Sequence, residues 1–134
     1  NCDISCQECL RTYDNRFFHK LINWRLGLDT LDLVTIGKYN LSRWNSVIKK
    51  IKNNLEKSLK NKCEIFEKNS SIILKSKNKT VVISHPFWSK RKKELNDSQE
   101  EILNEFDLDN NEYNLYNFIE IQNNPNLLIK EFKN

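Results

Sequence analysis

The opening stretch "NCDISCQECLRTYDN" brings Cys2, Cys6 and Cys9 together before any core has begun. Thiolates separated by three and then two residues can converge on one ion, and zinc takes four such soft ligands in a tetrahedron. The spacing therefore predicts an incomplete structural zinc knuckle, with free thiols as the alternative. Asp3 to Ser5 and the pair Gln7 and Glu8 let the backbone turn around the ion, and nothing beside them points to an open catalytic position. Two residues further along could supply a fourth ligand. His19 is one, although a histidine satisfied by structural hydrogen bonds is the plainer reading. Cys63 is the other, and it reads better as a small hydrophobe entering a strand.

Charge suggests a second chemistry. Residues 1 to 93 carry twenty Lys/Arg against eight Asp/Glu, a net of +12, whereas residues 94 to 134 carry two against ten, a net of −8. A +12 segment attracts phosphate backbones, and salt screens that attraction steeply. Lys49, Lys50, Lys52 and Lys57, with the run Lys90, Arg91, Lys92 and Lys93, are the candidate contacts to DNA phosphates, without base reading. The competing reading folds the acidic tail back onto the basic part.

Catalytic signals are weaker. His85 stands at a strand end beside Pro86, Phe87 and Trp88, a position that invites a functional role, but the sequence pairs it with neither a nucleophile nor an orienting acid. Asp107, Asp109 and Glu112 are the one acidic cluster that could serve a nuclease metal, and no basic partner goes with them. With two glycines in 134 residues there is no phosphate-cradling glycine-rich loop. The chain by itself is expected to bind no ATP and to catalyse nothing.

The elements that must position these residues follow from periodicity. Phe18, Leu21, Ile22, Leu26, Leu28 and Leu31 predict a helix over roughly 16 to 34, interrupted only at Gly27. Leu41, Trp44, Ile48, Ile51, Leu55 and Leu59 recur three or four apart, so a lysine-rich amphipathic helix occupies 36 to 62 with its apolar stripe on the domain. From Cys63 the period changes to short β-branched and aromatic runs, "CEIFE", "SIILK" and "TVVISHPFW", an antiparallel meander whose third strand, Val81 to Ile83, is central. Pro86 stops the third strand. "NDSQEEILNEFDLD" predicts a helix with Ser98 and Glu101 as its capping box. Tyr113 to Tyr116 follow as a strand, and Asn117 to Gln122 as a helical turn before Pro125.

The expected fold class is α/β or α+β: a cysteine knuckle with the first helix in 1 to 35, the lysine-rich helix in 36 to 62, and a small sheet with a flanking helix in 63 to 134. At 38% hydrophobic residues the chain can fold as one compact unit. No apolar run is long enough for a membrane span and no leader is visible, so no membrane partner and a reducing, cytoplasmic location are expected. A start on Asn1, next to a ligand-like cysteine, suggests a piece of a longer polypeptide.

"CDISCQECLRTYDNRFFHKLINWRLGLDTLDLV" resembles the MrfA-like zinc-binding segment near the carboxyl end of large bacterial superfamily-two DEAD/DEAH-box helicases, including phage-defence helicases of the DISARM and Druantia type. Cys2, Cys6 and Cys9 match the last three ligands of that segment, and Leu10, Tyr13, Asn15, His19, Trp24, Arg25, Leu26 and Asp29 match the residues that follow them. "VVISHPFW" and "YNLYNFIEIQNNP" are similar to a later strand and to the closing region. Asn23 departs from the usual aspartate, and Asn123 with Asn124 from an arginine pair. The resemblance implies a fourth zinc ligand upstream of Asn1. It also implies ATP and Mg2+ bound only in upstream helicase domains of the same polypeptide, and a non-catalytic accessory role for this chain with weak DNA contact or docking of a defence-system partner. A stand-alone zinc-stabilised interaction module and a small metal-dependent nuclease are the rivals.

Overall fold

In the computed structural model the described residues are 4–19, 22–89, 97–108 and 113–132. The chain is an α+β protein with an N-terminal cysteine pair, several helices and a small open sheet. It divides into two compact units, Asn1–Arg43 and Trp44–Asn134.

In the first unit a short 3-10 turn, Arg16–Phe18, precedes helix α1, Trp24–Ile36. The helix expected from residue 16 instead starts at Trp24, because Asn23 is extended and its side chain accepts from the N–H groups of Arg25 and Leu26 at 3.0 and 3.4 Å. Asparagine is among the strongest N-caps. The other end is set by Gly37, which takes φ +72°, a conformation costly for other residues, and donates to the Leu33 carbonyl.

The second unit opens with helix α2, Asn45–Ser58, shorter than the expected 36 to 62 because Leu41–Trp44 is a 3-10 turn. Of its expected stripe Trp44, Ile48, Ile51, Leu55 and Leu59 are buried and Leu41 is half-buried, and Val47, not expected, joins the buried set. The strands are β1 Glu64–Lys68, β2 Ser71–Lys75, β3 Thr80–Ser84 and β4 Tyr113–Asn117, in that order across the sheet. The first three form the expected antiparallel meander, and β4 adds parallel to β3. Asn69 and Ser70, both at positive φ, make a two-residue β1–β2 turn. A parallel partner requires a crossover, and α3, Asp97–Glu105, lies in it.

Opposed residues share a face. Ile73 and Val82 point to one side, where Ile102, Leu103, Leu108 and Trp88 close a core over them. Ile72, Leu74, Val81 and Ile83 point to the other and are buried, and α2 contacts β2 and helix α4, Phe118–Asn123. A last helix, α5, Asn126–Glu131, follows Pro125 and was not anticipated. Glu131 takes hydrogen bonds from Asn114 and from the Tyr116 hydroxyl and pairs with Lys79, tying α5 to the outer strand. Burial, with the Glu131 carboxylate beside it, pushes the Tyr116 hydroxyl up to about 12.

The capping box also lies elsewhere than expected. Asp97 already belongs to α3, and the Glu101 carboxylate goes to Asn69 and Lys68 rather than to Ser98. The box is at α4, where the Asn117 side chain accepts from Glu120 N–H and the Glu120 carboxylate accepts from Asn117 N–H, at 2.9 and 2.8 Å. No helix among the described residues is long and apolar enough to cross a membrane.

Candidate metal centre and nucleic-acid interface

The metal candidate is built on a tight turn. The Cys6 carbonyl accepts from the N–H groups of Cys9, Leu10 and Arg11, which folds the chain back on itself. The two sulfurs come to 3.4 Å and the Cys6 N–H donates to Cys9 Sγ at 3.0 Å. Both cysteines are free of disulfides. With Zn–S near 2.3 Å, an edge of a ZnS4 tetrahedron is about 3.8 Å, so this sulfur pair is within a few tenths of an ångström of what zinc asks of two neighbouring ligands. The donor chemistry therefore fits two of the expected ligands. Cys2 lies outside the described residues, and among those residues no group of three His, Cys, Asp or Glu is gathered.

Asn15 stitches this turn in place, a role that sequence reading missed. Its Oδ1 accepts from Thr12 N–H at 2.8 Å and its Nδ2 donates to the Leu10 carbonyl at 2.8 Å. His19 joins the same network, with Nε2 at 3.0 Å from the Thr12 carbonyl and 2.9 Å from Asn15 Oδ1. Both partners are acceptors, so Nε2 carries the proton and cannot donate a lone pair to a metal. His19 is thus placed as a structural histidine at that nitrogen. The recurrence of Asn and His four apart after the cysteines was the available signal. Cys63 is half-buried at the start of the sheet, where burial pushes its thiol up, in keeping with a hydrophobe rather than a thiolate ligand.

Arg43 and Asp32 were also missed, and Asp29 had been singled out only through the resemblance. Asp29, fully buried, and Asp32 both bind Arg43 Nη1 at 2.6 Å, while Arg25 Nε donates to the Arg43 carbonyl at 2.8 Å. Donation to Asp29 first, then to Asp32, raises the Arg43 guanidinium further above its ordinary range. Arg25 and Asp29 therefore have a fold-building use within the first unit.

The candidate nucleic-acid surface is the outer side of α2. Lys49, Lys50 and Lys57 are exposed, and Lys50 and Lys57, seven residues apart, share one stripe with about 10 Å of helix rise between them. Lys52 differs, being bound to Glu67 at 2.7 Å. Lys90, Arg91, Lys92 and Lys93 lie outside the described residues. Three of the ten acids of the tail pair with lysines of the basic part outside α2: Glu101 and Glu105 go to Lys68 at 3.4 and 2.8 Å, and Glu131 goes to Lys79.

His85 follows β3 at its carboxyl end and is 1% exposed. Its ring meets Trp44 edge-on at 5.3 Å and Phe87 at 4.8 Å, and Trp44 in turn packs on Phe118 at 5.4 Å. Nδ1 accepts from the Phe87 N–H at 3.1 Å, so the proton of the neutral ring sits on Nε2. Ser84 is buried with its hydroxyl 3.0 Å from that of Ser71. Asp107 occupies a turn at positive φ, and Asp109 and Glu112 lie outside the described residues. The parallel β3 and β4 thus end in an aromatic plug around His85. Compared with family models, with curated proteins and with solved structures, the chain gives no match.

Proposed function

We propose that this chain is a non-catalytic accessory region that is stapled by zinc at its cysteine turn and lies against nucleic acid through α2, as the resemblance to the carboxyl end of DEAD/DEAH-box helicases implies. In that reading ATP and Mg2+ belong to upstream helicase domains. The observation that carries it is the division of charge in the second unit. Lys49, Lys50 and Lys57 stand exposed on a helix whose apolar stripe is buried, while Glu101, Glu105 and Glu131 are engaged by Lys68 and Lys79. The tail does fold back on the basic part, with α4 against α2 and these three acids on Lys68 and Lys79, but none of the three goes to Lys49 or Lys57. The burial of His85 against Trp44 and Phe87 supports a structural rather than a reacting imidazole.

Lysines held on a helix face meet phosphates as point charges and read no bases. Binding to labelled single-stranded and duplex DNA, followed by fluorescence anisotropy over a salt series, tests this. The expected result is weak, sequence-indifferent binding whose log–log salt slope becomes shallower by about 2 to 3 on duplex DNA when Lys49, Lys50 and Lys57 are all changed to Gln. A separate Lys90, Arg91, Lys92 and Lys93 to Gln variant measures the basic run. Unchanged affinity and slope in the α2 variant would remove that helix from the interface.

A further inference from the structure

Helix α2 ends in a basic corner. Lys57 lies in its last turn and Lys60 just past it, both exposed, and the chain then turns at Asn61, at positive φ, into Lys62 and the first strand. Sheet register brings a second basic segment beside this one. Glu64 at the start of β1 lies opposite Lys75 at the end of β2, so the connection from α2 runs next to the β2–β3 turn. That turn, residues 76–79, is closed by the Ser76 N–H on the Lys79 carbonyl at 2.9 Å, and it carries Lys77. Between the two segments is a groove of about 450 Å3 lined by Asn61, Lys62, Glu64, Lys75, Ser76 and Lys77. All six belong to the second unit, so the groove is set by the register of its own sheet.

Three lysines in this groove face one acid, Glu64. The neighbouring lysines are neutralised: Lys79, next along the turn, is held by Glu131, and Lys68, at the far end of β1, by Glu101 and Glu105. Among the described residues no carboxylate reaches Lys62, Lys75 or Lys77 at ion-pair distance. Like charges side by side repel, and an anion seated between them relieves that repulsion. We propose that this groove is a second nucleic-acid contact, in which Lys62, Lys75 and Lys77, with the Asn61 side-chain amide as a neutral donor, hold phosphates of the same strand that α2 meets. The proposal rests on the reading of α2 given above and extends its surface to a part of the sheet. Continuity favours a polymer over a small phosphate ligand: Lys50 and Lys57 share a stripe of α2, and Lys60 and Lys62 carry the line past the helix end into the groove. A strand with one charge per about 3.4 Å can occupy such a line along its whole length. Lysine ammonium groups there hold phosphates and read no bases.

A groove variant, Lys62→Gln, Lys75→Gln and Lys77→Gln together, is compared with the parent and with the α2 variant by fluorescence anisotropy on labelled DNA over a salt series. Its log–log salt slope is expected to become shallower by about 2 on a single strand and by nearly 3 on a duplex. Surface changes of this kind leave the fold intact, which a urea midpoint close to the parent's confirms. Location is read separately: acetylation of the parent, mapped by mass spectrometry, should slow at Lys62, Lys75 and Lys77 when DNA is added and stay unchanged at Lys130 on α5. A slope lost in the groove variant alone overturns the α2 reading and keeps the groove, whereas a slope lost in the α2 variant alone overturns the groove and keeps α2. A slope lost without protection of the three lysines is a general charge effect and overturns the proposal. So does a groove variant that binds DNA as the parent does but no longer binds vesicles of phosphatidylcholine and phosphatidylserine, which would make the groove a lipid-headgroup site.

Discussion

His85→Ala separates a structural histidine from a reacting one. The ring is 1% exposed, touches Trp44 and Phe87, and accepts the Phe87 N–H through Nδ1. Truncating a buried ring of this size loses its contacts and leaves a cavity, at about 2 to 4 kcal/mol. Removing the acceptor of the Phe87 N–H adds about 1 kcal/mol. The sum, about 4 kcal/mol, is a large part of what a small domain possesses. His85→Asn keeps an acceptor near the position of Nδ1 and loses only ring contacts, so it should be milder by about 1 kcal/mol. Urea unfolding followed by tryptophan emission suits the test, since Trp44 lies against the ring. The parent, the Asn variant and the Ala variant should fall in that order of midpoint with similar slopes. A His85→Ala protein within about 1 kcal/mol of the parent refutes the packing argument. So does one that keeps its stability yet loses a Mg2+-dependent cleavage of DNA that the parent shows, and that result would make this the nuclease end of a larger machine.

Two further outcomes are expected. Cys6→Ser should weaken zinc binding by at least about tenfold in competition with a chromophoric chelator, in this chain and in one extended upstream, whereas Cys63→Ser should leave it unchanged. Glu131→Gln should lower stability at neutral pH by about 1 kcal/mol, a figure kept small because Lys79 is partly solvated. Lys79 first, and then the Tyr116 hydroxyl, hold the Glu131 carboxyl below its ordinary value. Its contribution is therefore fully present above the ordinary carboxylate range and is lost as pH falls through the lowered folded value, so the parent's acid limb should be steeper than the variant's in a pH series of urea midpoints.

The sheet was legible because its signals are local. "SIILK" is a β-branched run bounded by turn residues and became β2 residue for residue, while the strand expected at Val81 to Ile83 became β3 with one more residue at each end and lies inside the sheet as expected. The stripe of α2 was legible for the same reason, its apolar period leaving one burial face. The last helix was not, since "NLLIKE" is short and follows a proline that reads as a stop, and its hold on the sheet comes from Glu131 reaching residues far back in the sequence. The misplaced capping box has a similar origin. Ser98 and Glu101 satisfy the local pattern, but Lys68 and Asn69, some thirty residues away, compete for the Glu101 carboxylate and hold it. Of the candidate site, the cysteine turn and the exposed lysines were readable from spacing, while the roles of Asn15 and Arg43 depend on a folded neighbourhood.

Periodicity shows that a helix has two faces, but it does not say which of them is inside. For α2 the assumption that the apolar face is buried holds. For α1 it fails, because the polar face contains its own neutralising set: Asp29 and Asp32 converge on Arg43, and Arg25 donates to the Arg43 backbone. Burying a lone Asp29 would be prohibitive, and burying it already bonded to a guanidinium is not. Arg43 lies fourteen residues beyond Asp29, past the end of the helix and past Gly37, so the period of the helix itself does not include this partner. With the charges satisfied inward, Leu28, Leu31 and Val34 are left facing outward. Within the first unit, then, the buried face of α1 is decided by where its charges are satisfied and not by the apolar period.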